Sequence, residues 1–254
     1  MTPKLTFVIP AHNEEANIAK CLSSIEAQLK EVRRDAEIIV VNNACTDGTK
    51  RIASSFKGVT VVDEPNKGLV KARRAGFLAS HGDLIANVDA DTLLTPGWIE
   101  KVIKEFGDHP DIVALSGPYI YYDLSTVQRA CIRLFYYGGY FFSLINRFIL
   151  KNGAMLQGGN FIVRRDALLA IGGFNTEQFD FYGEDTDLAR RLNAVGPVKF
   201  MFDLPMYTSG RRVMQEGLLR TGYHYAMNYF WTIFFKRPFT KSSTDVRQER
   251  TPHK

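Results

Sequence analysis

Leu84-Ile85-Ala86-Asn87-Val88-Asp89-Ala90-Asp91-Thr92 is the stretch that places this chain in a fold class. An apolar run ends abruptly in an Asp-x-Asp pair, and Thr95-Pro96-Gly97 then starts a helix. Alternate side chains on an extended segment point the same way. The carboxylates of Asp89 and Asp91 therefore share one direction on the turn that leaves a buried strand. Hard oxygen ligands of this kind suit Mg²⁺ or Mn²⁺, which keeps positions open for phosphate oxygens. Asp-x-Asp by itself is common and reads equally as a polar turn closed by an Asx hydrogen bond. The strand before it gives the pair its weight.

Upstream the same alternation repeats. Leu5-Thr6-Phe7-Val8-Ile9 is a short apolar run stopped by Pro10. Ile18, Leu22, Ile25 and Leu29 then recur at helical spacing, with Asn13 expected as N-cap and Glu14-Glu15 in the first turn. Ile38-Ile39-Val40-Val41 runs into Asn42-Asn43, and Thr46-Asp47-Gly48-Thr49 opens another helix, with Asp47 a helix-start residue rather than a ligand. A third strand at 59–62 leads to a helix near 68–80, and the fourth strand occupies 83–88. Continuous apolar strands separated by single helices indicate parallel βαβ units covered on both faces. Ligands bind at the carboxyl ends of such strands. The polar clusters after Ile9, Val41 and Val88 all lie at those ends, which predicts one shared pocket.

Downstream the pattern loosens. An aromatic-rich segment covers 127–150, and Gln157-Gly158-Gly159-Asn160 precedes a strand-like Phe161-Ile162-Val163. An amphipathic helix ends at Ile171-Gly172-Gly173, and a second acidic cluster, Gly183-Glu184-Asp185-Thr186-Asp187, sits where the next helix begins. That cluster offers a carboxylate base, although acids at a helix N-terminus also favour the macrodipole. A strand is expected at 198–202, the chain from Arg211 is basic and aromatic, and 241–254 reads as disordered.

The 254 residues, 45% hydrophobic and 23% charged, are enough for one large domain with a substantial core. A formal charge of +5 without a base-stacking module excludes nucleic acid as the partner, and suits an anionic small substrate or an acidic membrane surface. Three cysteines, odd in number and far apart, fit neither a disulfide framework nor a zinc site. The N-terminus lacks the apolar stretch of a signal peptide, so a cytoplasmic location is the expectation.

In order, Pro10-Ala11-His12-Asn13-Glu14-Glu15, Val41-Asn42-Asn43-Ala44-Cys45-Thr46-Asp47-Gly48-Thr49, Asp89-Ala90-Asp91, Gly158-Gly159-Asn160-Phe161, Ile171-Gly172-Gly173-Phe174 and Gly183-Glu184-Asp185-Thr186-Asp187-Leu188 resemble the landmarks of glycosyltransferase family 2. The likeness runs from about Leu5 to Gly210. It implies an α/β chain with the GT-A fold, a Rossmann-like three-layer α/β/α sandwich with a mostly parallel central sheet. A nucleotide-binding half at about 1–92 and an acceptor-binding half at about 93–215 would precede a helical segment at 216–240.

The resemblance also assigns roles. Pro10 and Ala11 would hold the base through backbone groups, with Asn13 in the same loop, and Glu14 would reach the ribose. Asn42 stands where many members carry Asp, which leaves a UDP- or GDP-linked donor open. Asp91 would bind the metal, and Asp89 the ribose and metal-bound water, with Ala90 between them. Arg73, in Ala72-Arg73-Arg74, would face the donor diphosphate, and Lys67, Lys71 and Arg74 read as a solvated face. Gly158 and Gly159 would lie under the sugar, Asp185 would be the general base, Glu184 would orient it or bind acceptor, and Arg211 would close over the diphosphate.

The implied activity is inverting transfer from a nucleoside diphosphate sugar to a hydroxyl of a glycan or lipid-linked acceptor, with Mg²⁺ or Mn²⁺, in envelope or surface polysaccharide assembly. A nucleotidyltransferase would open with a Gly-rich loop after its first strand, which Pro10-Ala11-His12-Asn13 lacks. A non-catalytic sugar-nucleotide-binding or membrane adaptor would not need Asp89, Asp91, Glu184 and Asp185. Two aromatic stretches, 135–150 and 223–235, have basic neighbours but are too short or too polar to span a bilayer. The first reads equally as a core helix or an interfacial one; the second leans toward peripheral membrane contact at the inner face of the plasma membrane.

Overall fold

The computed structural model describes residues 4–149, 155–240 and 245–246. Lys151 and most of the 241–254 tail lie outside the described residues, and of residues 146–149 the backbone alone is described. The first half alternates as expected: β1 (Leu5–Ala11), α1 (Ile18–Glu31), β2 (Glu37–Asn43), α2 (Thr49–Ser54), β3 (Val59–Glu64), α3 (Leu69–Ala79) and β4 (Leu84–Val88). Next come β5 (Thr92–Leu94), α4 (Trp98–Asp108), β6 (Ala114–Ser116), β7 (Tyr119–Tyr121) and the long α5 (Thr126–Ile149). The chain continues through β8 (Asn160–Arg164), α6 (Arg165–Ala170), α7 (Glu184–Leu192), β9 (Val198–Phe200), β10 (Met206–Thr208), α8 (Arg211–Glu216) and α9 (Leu218–Phe235).

Seven strands make the central sheet, in the order β3-β2-β1-β4-β8-β6-β9. β3, β2, β1 and β4 are parallel, β8 opposes both its neighbours, and β6 and β9 are parallel. Alternation along β1 sends Phe7 and Ile9 into a core with Ile18, Leu22 and Ile25 of α1 and Trp98 of α4. Val8 enters a second core with Val70 and Phe77 of α3, Leu168 of α6 and Leu188 of α7. Each such buried side chain contributes roughly 1.5–3 kcal/mol. Burial on both faces is why these strands read as unbroken apolar runs. The result is a three-layer sandwich whose strand order reverses between β1 and β4. Pro10-Ala11 and Asp89 flank that crevice, where open α/β sheets bind ligands.

Asn13 does not cap α1. The helix begins at Ile18 with Asn17 at the cap position, and Asn13 takes a φ of +52°. Its Oδ1 accepts a hydrogen bond from Thr46 N at 2.8 Å, so the side chain stitches the β1 loop to the β2 loop. Asp47 does start a helix: its Oδ1 accepts from Thr49 N at 3.0 Å, just ahead of α2.

A three-stranded satellite sheet, β5-β10-β7, was not foreseen. It pairs Thr92 with Thr208 and Thr208 with Tyr121, bringing the chain around Arg211 back beside Asp91. α5 is not a core helix: of its described side chains only Tyr136 and Ser143 are buried. Among the described residues no helix is long and apolar enough to cross a membrane.

Candidate active site

The loops leaving β1 and β4 and the turn into α8 enclose an open cleft of about 800 Å³, its solvent-open mouth included. Pro10, Glu14, Asp89, Ala90, Asp91 and Arg211 line it together, which joins the clusters after Ile9 and Val88 but not the one after Val41. Glu14 is buried and held by both terminal nitrogens of Arg211, Nη1 lying 3.1 Å from its Oε2. Arg211 Nη2 also lies 3.0 Å from Asp91 Oδ2. Asp123 fixes the turn behind this arginine, accepting from Ser209 Oγ and from Gly210 N, each at 2.6 Å. Burial pushes the Asp91 carboxyl up to about 7; Arg211 opposes the rise, and Glu14 and Asp89 add to it.

Beneath the cleft, Arg73 is 1% exposed and joins the two acidic clusters. Its Nη1 donates to Glu184 Oε1, and its Nη2 donates to Asp89 Oδ1 at 3.1 Å. The guanidinium also stacks over Phe161, 5.5 Å from the ring centroid. α3 supplies this arginine from one layer of the sandwich, and its charge offsets two carboxylates that approach from separate loops. Burial still raises Glu184 to about 7, with Asp185 adding to the rise against the pull of Arg73.

Asp185 begins α7 behind Gly183, which has a φ of +77°. Its Oδ1 accepts from Thr186 N at 2.7 Å and its Oδ2 from Gly158 N at 3.3 Å. Burial raises its pKa, while those backbone donors and Arg73 hold the rise down. Asp187, by contrast, is buried and paired with Arg190 and Arg191 on its own helix, a structural role.

The Gly158-Gly159 turn sits between the clusters. The Tyr119 hydroxyl donates to Gly158 O at 2.6 Å and lies 3.1 Å from Asp89 Oδ2, a second acceptor competing for the same proton. Tyr136 in turn accepts from Tyr119 N at 3.2 Å and donates to Gln157 Oε1 at 2.7 Å. Asn160, fully buried, donates to Gly117 O and Leu204 O at 3.0 Å each and accepts from Trp98 Nε1 at 3.3 Å. The turn is thereby locked to the satellite sheet.

Other expected contacts fall elsewhere. Arg73 does not line the cleft; it lies below it. Asn42 donates to Asp63 Oδ1 at 2.8 Å across the neighbouring strand and does not line the cleft either. Lys67, paired with Asp245 at 2.6 Å, and Arg74 are exposed, as a solvated face requires. Tyr119, Tyr121, Phe181, Thr208, Arg212 and Tyr225 do line it, unflagged by any motif. For Tyr119 and Tyr121 the only signal was position, just ahead of the aromatic-rich segment that leads to the Gly-Gly turn.

Among the described residues no three Asp, Glu, His or Cys side chains form a ready cage for a metal. Glu14, Asp89 and Asp91 make an acidic corner that Arg211 offsets in part, and burial, with Glu14 and Asp89 adding to it, raises the Asp91 carboxyl. Such a corner fits Mg²⁺ or Mn²⁺ held by one or two carboxylates and completed by substrate phosphates. Asp89 and Asp91 are the residues that would hold it.

A mostly parallel sheet carrying its acids at the strand-order reversal, with one opposed strand and a satellite sheet, is the architecture of GT-A glycosyltransferases. The chain belongs to glycosyl transferase family 2, whose profile matches residues 6–172. A Pyrobaculum calidifontis mannosyltransferase solved with GDP-mannose and Mn²⁺ superposes with a TM-score of 0.66 at 20% identity, covering 93% of this chain and 64% of that one. The glucosyl-3-phosphoglycerate synthase of Mycobacterium tuberculosis, solved with Mn²⁺, UDP and phosphoglyceric acid, gives 0.61 at 20%, covering 91% and 78%. By sequence, glycosyltransferase AglE of Haloferax volcanii is 26% identical over 200 residues, 76% of this chain and 62% of its own length. EpsH of Bacillus subtilis, called a putative glycosyltransferase, is 30% identical over 116 residues, 44% of this chain and 33% of its own length. The chain thus spans between a third and two thirds of these two relatives.

Proposed function

We propose that this glycosyltransferase moves a sugar from a UDP- or GDP-linked donor to a hydroxyl of a glycan or lipid-linked acceptor, with inversion and a divalent metal. Its place would be the cytoplasmic face of the plasma membrane, in envelope or surface polysaccharide assembly. The observation that supports this best is Arg73, which ties Asp89 and Glu184 together beneath one cleft. Donor carboxylates and a base are thereby kept within reach of a single sugar.

Pro10, Ala11 and the Asn13 loop would hold the base, Glu14 the ribose, and Arg211 the diphosphate. Asp89 and Asp91 would hold Mg²⁺ or Mn²⁺, which when bound supplies charge neutralisation at the departing diphosphate. Asp185 would take the proton of the acceptor hydroxyl, and Glu184 would orient that hydroxyl. As the acceptor oxygen bonds to the anomeric carbon, the bond to the diphosphate oxygen breaks on the opposite side. Attack from the side away from the leaving group inverts the centre. A raised carboxyl suits a base working near neutral pH.

The test is nucleoside diphosphate release across a panel of nucleotide sugars with Mn²⁺, in wild type and Asp185→Asn. Donor binding kept and transfer lost by about a hundredfold or more is the expected result. Full activity in Asp185→Asn removes the base assignment, and turnover undiminished by chelation removes the metal.

A further inference from the structure

We propose that α5 and α9 together form a docking surface for an anionic phospholipid leaflet. Their amphipathicity is inverted. A helix on the surface of a soluble protein turns its apolar stripe inward and its polar residues outward. α9 buries Thr221, Asn228, Thr232 and Ile233, while Leu219, Tyr223, Phe230, Phe234 and Phe235 are exposed, Leu219 by 88%. The inward Asn228 is engaged internally: it donates to His224 O at 2.8 Å and accepts from Phe239 N at 2.9 Å and Thr240 N at 3.1 Å. α5 likewise buries Tyr136 and Ser143 and exposes Val127, Leu134, Phe135, Tyr137 and Phe141. The helices adjoin through Phe142, whose ring centre lies 4.7 Å from that of Phe230, edge to face. Their outward faces therefore make one apolar surface.

Charge identifies the occupant. Residues 126–149 and 218–240 hold Arg129, Arg133, Arg147, Arg220, Lys236 and Arg237, and no Asp or Glu. The chain has 32 Lys and Arg against 27 Asp and Glu; without those six cations the balance is 26 against 27. All of the positive excess belongs to these two segments, the two helices themselves and the residues 236–240 that follow α9. A second copy of the same face would set cations against cations. An anionic leaflet satisfies both features, aromatic side chains entering the headgroup layer and Arg and Lys meeting lipid phosphates. Among the described residues neither helix is long and apolar enough to cross a membrane, which leaves both to lie in its plane.

α9 also supplies Thr221 and Tyr225 to the cleft, so docking brings the cleft beside the headgroups. An acceptor anchored by a lipid tail would then reach Asp185 without leaving the leaflet. That route rests on the transferase reading; the docking itself does not.

The experiment is flotation of the full chain with phosphatidylcholine vesicles, with and without phosphatidylglycerol. Recovery should be about tenfold higher with the anionic lipid and fall at high salt. The pair Arg129→Glu and Arg133→Glu, and separately the pair Leu134→Ser and Phe135→Ser, should each cut it by about tenfold. Melting temperature and vesicle-free nucleoside diphosphate release should stay unchanged in both. Equal recovery with the two vesicle types, or no flotation with either, overturns the proposal. So does light scattering that shows a dimer dispersed by the same substitutions. Loss of transfer without loss of flotation would fault the transferase reading alone.

Discussion

Arg211 Nη2 lies 3.0 Å from Asp91 Oδ2, and the same guanidinium grips Glu14 through both terminal nitrogens. A side-chain cation thus stands in the acidic corner where the divalent ion would be held. Donor-free protein neutralises Asp91 from within, and the turn pinned by Asp123 delivers the charge.

Arg211→Gln should therefore change metal and donor binding in opposite directions. Mn²⁺ meets Asp91 without a competitor, and its affinity for the protein without donor rises about tenfold, ~1.4 kcal/mol. That is a fraction of the ~4 kcal/mol between unit charges at this range near a protein surface. Donor KM rises, because the diphosphate loses a positive partner. Paramagnetic titration of Mn²⁺ reads the first effect, and a weaker Mn²⁺ affinity in the variant would refute competition.

Arg73→Met leaves Glu184 buried without its cation. Removing one partner of a buried pair costs about 3–5 kcal/mol. For a chain of this size that lowers the melting temperature by roughly 6–20 °C. Arg73→Met with Glu184→Met should recover much of the loss, since no buried charge is then left unpaired, yet remain inactive. Thermal unfolding and nucleoside diphosphate release separate the two effects. A double variant no more stable than Arg73→Met would show that the pair is not what Arg73 contributes.

The parallel half of the sheet was legible because both faces of β1, β2 and β4 are buried, which writes each as an unbroken apolar run. The Asp89 and Asp185 clusters were legible because acids directly follow a strand or open a helix. β5, β7 and β10 were not, since three residues show no period and their partners are far apart in sequence. Asn13 misled because an Asn ahead of a helical pattern usually caps it, whereas here Thr46 of another loop takes its oxygen. Arg73 was set apart from its solvated basic run by the resemblance alone, which aimed it at the donor diphosphate. Only the layered fold shows that its side chain points inward, toward two carboxylates remote in sequence.

Glu184 gives stability and activity opposite pH dependences. Its carboxyl is raised from an ordinary 4.5 to about 7, so the fold favours the protonated form. That contribution to stability is full below 4.5 and is lost as pH rises through about 7, each unit being worth about 1.4 kcal/mol. Asp185 is raised in the same direction. A working base must be ionised, so kcat/KM should climb with pH as Asp185 loses its proton, above the ordinary carboxylate range, while the protein becomes less stable. Melting curves and rate profiles between about pH 5 and pH 8 check both slopes. Glu184→Gln should flatten the first, and an unchanged melting slope in that variant would assign the effect elsewhere.

Gly159 and Gly172 both adopt a left-handed backbone, φ +80° and +77°, but only one is crowded. A methyl group on Gly172 meets nothing within 4 Å, whereas on Gly159 it collides with the Asp89 carboxylate and the Tyr119 hydroxyl. Gly172→Ala then carries the conformational cost alone, about 1–2 kcal/mol, with transfer retained. Gly159→Ala adds a displacement of Asp89 from its bonds to Arg73 and Tyr119, and a misplacement of about 1 Å is enough to cost about a hundredfold in rate. A lower melting temperature for Gly159→Ala than for Gly172→Ala, and a far lower rate, are the expected outcome. Equal rates would mean that Asp89 tolerates the shift and that the turn serves folding only.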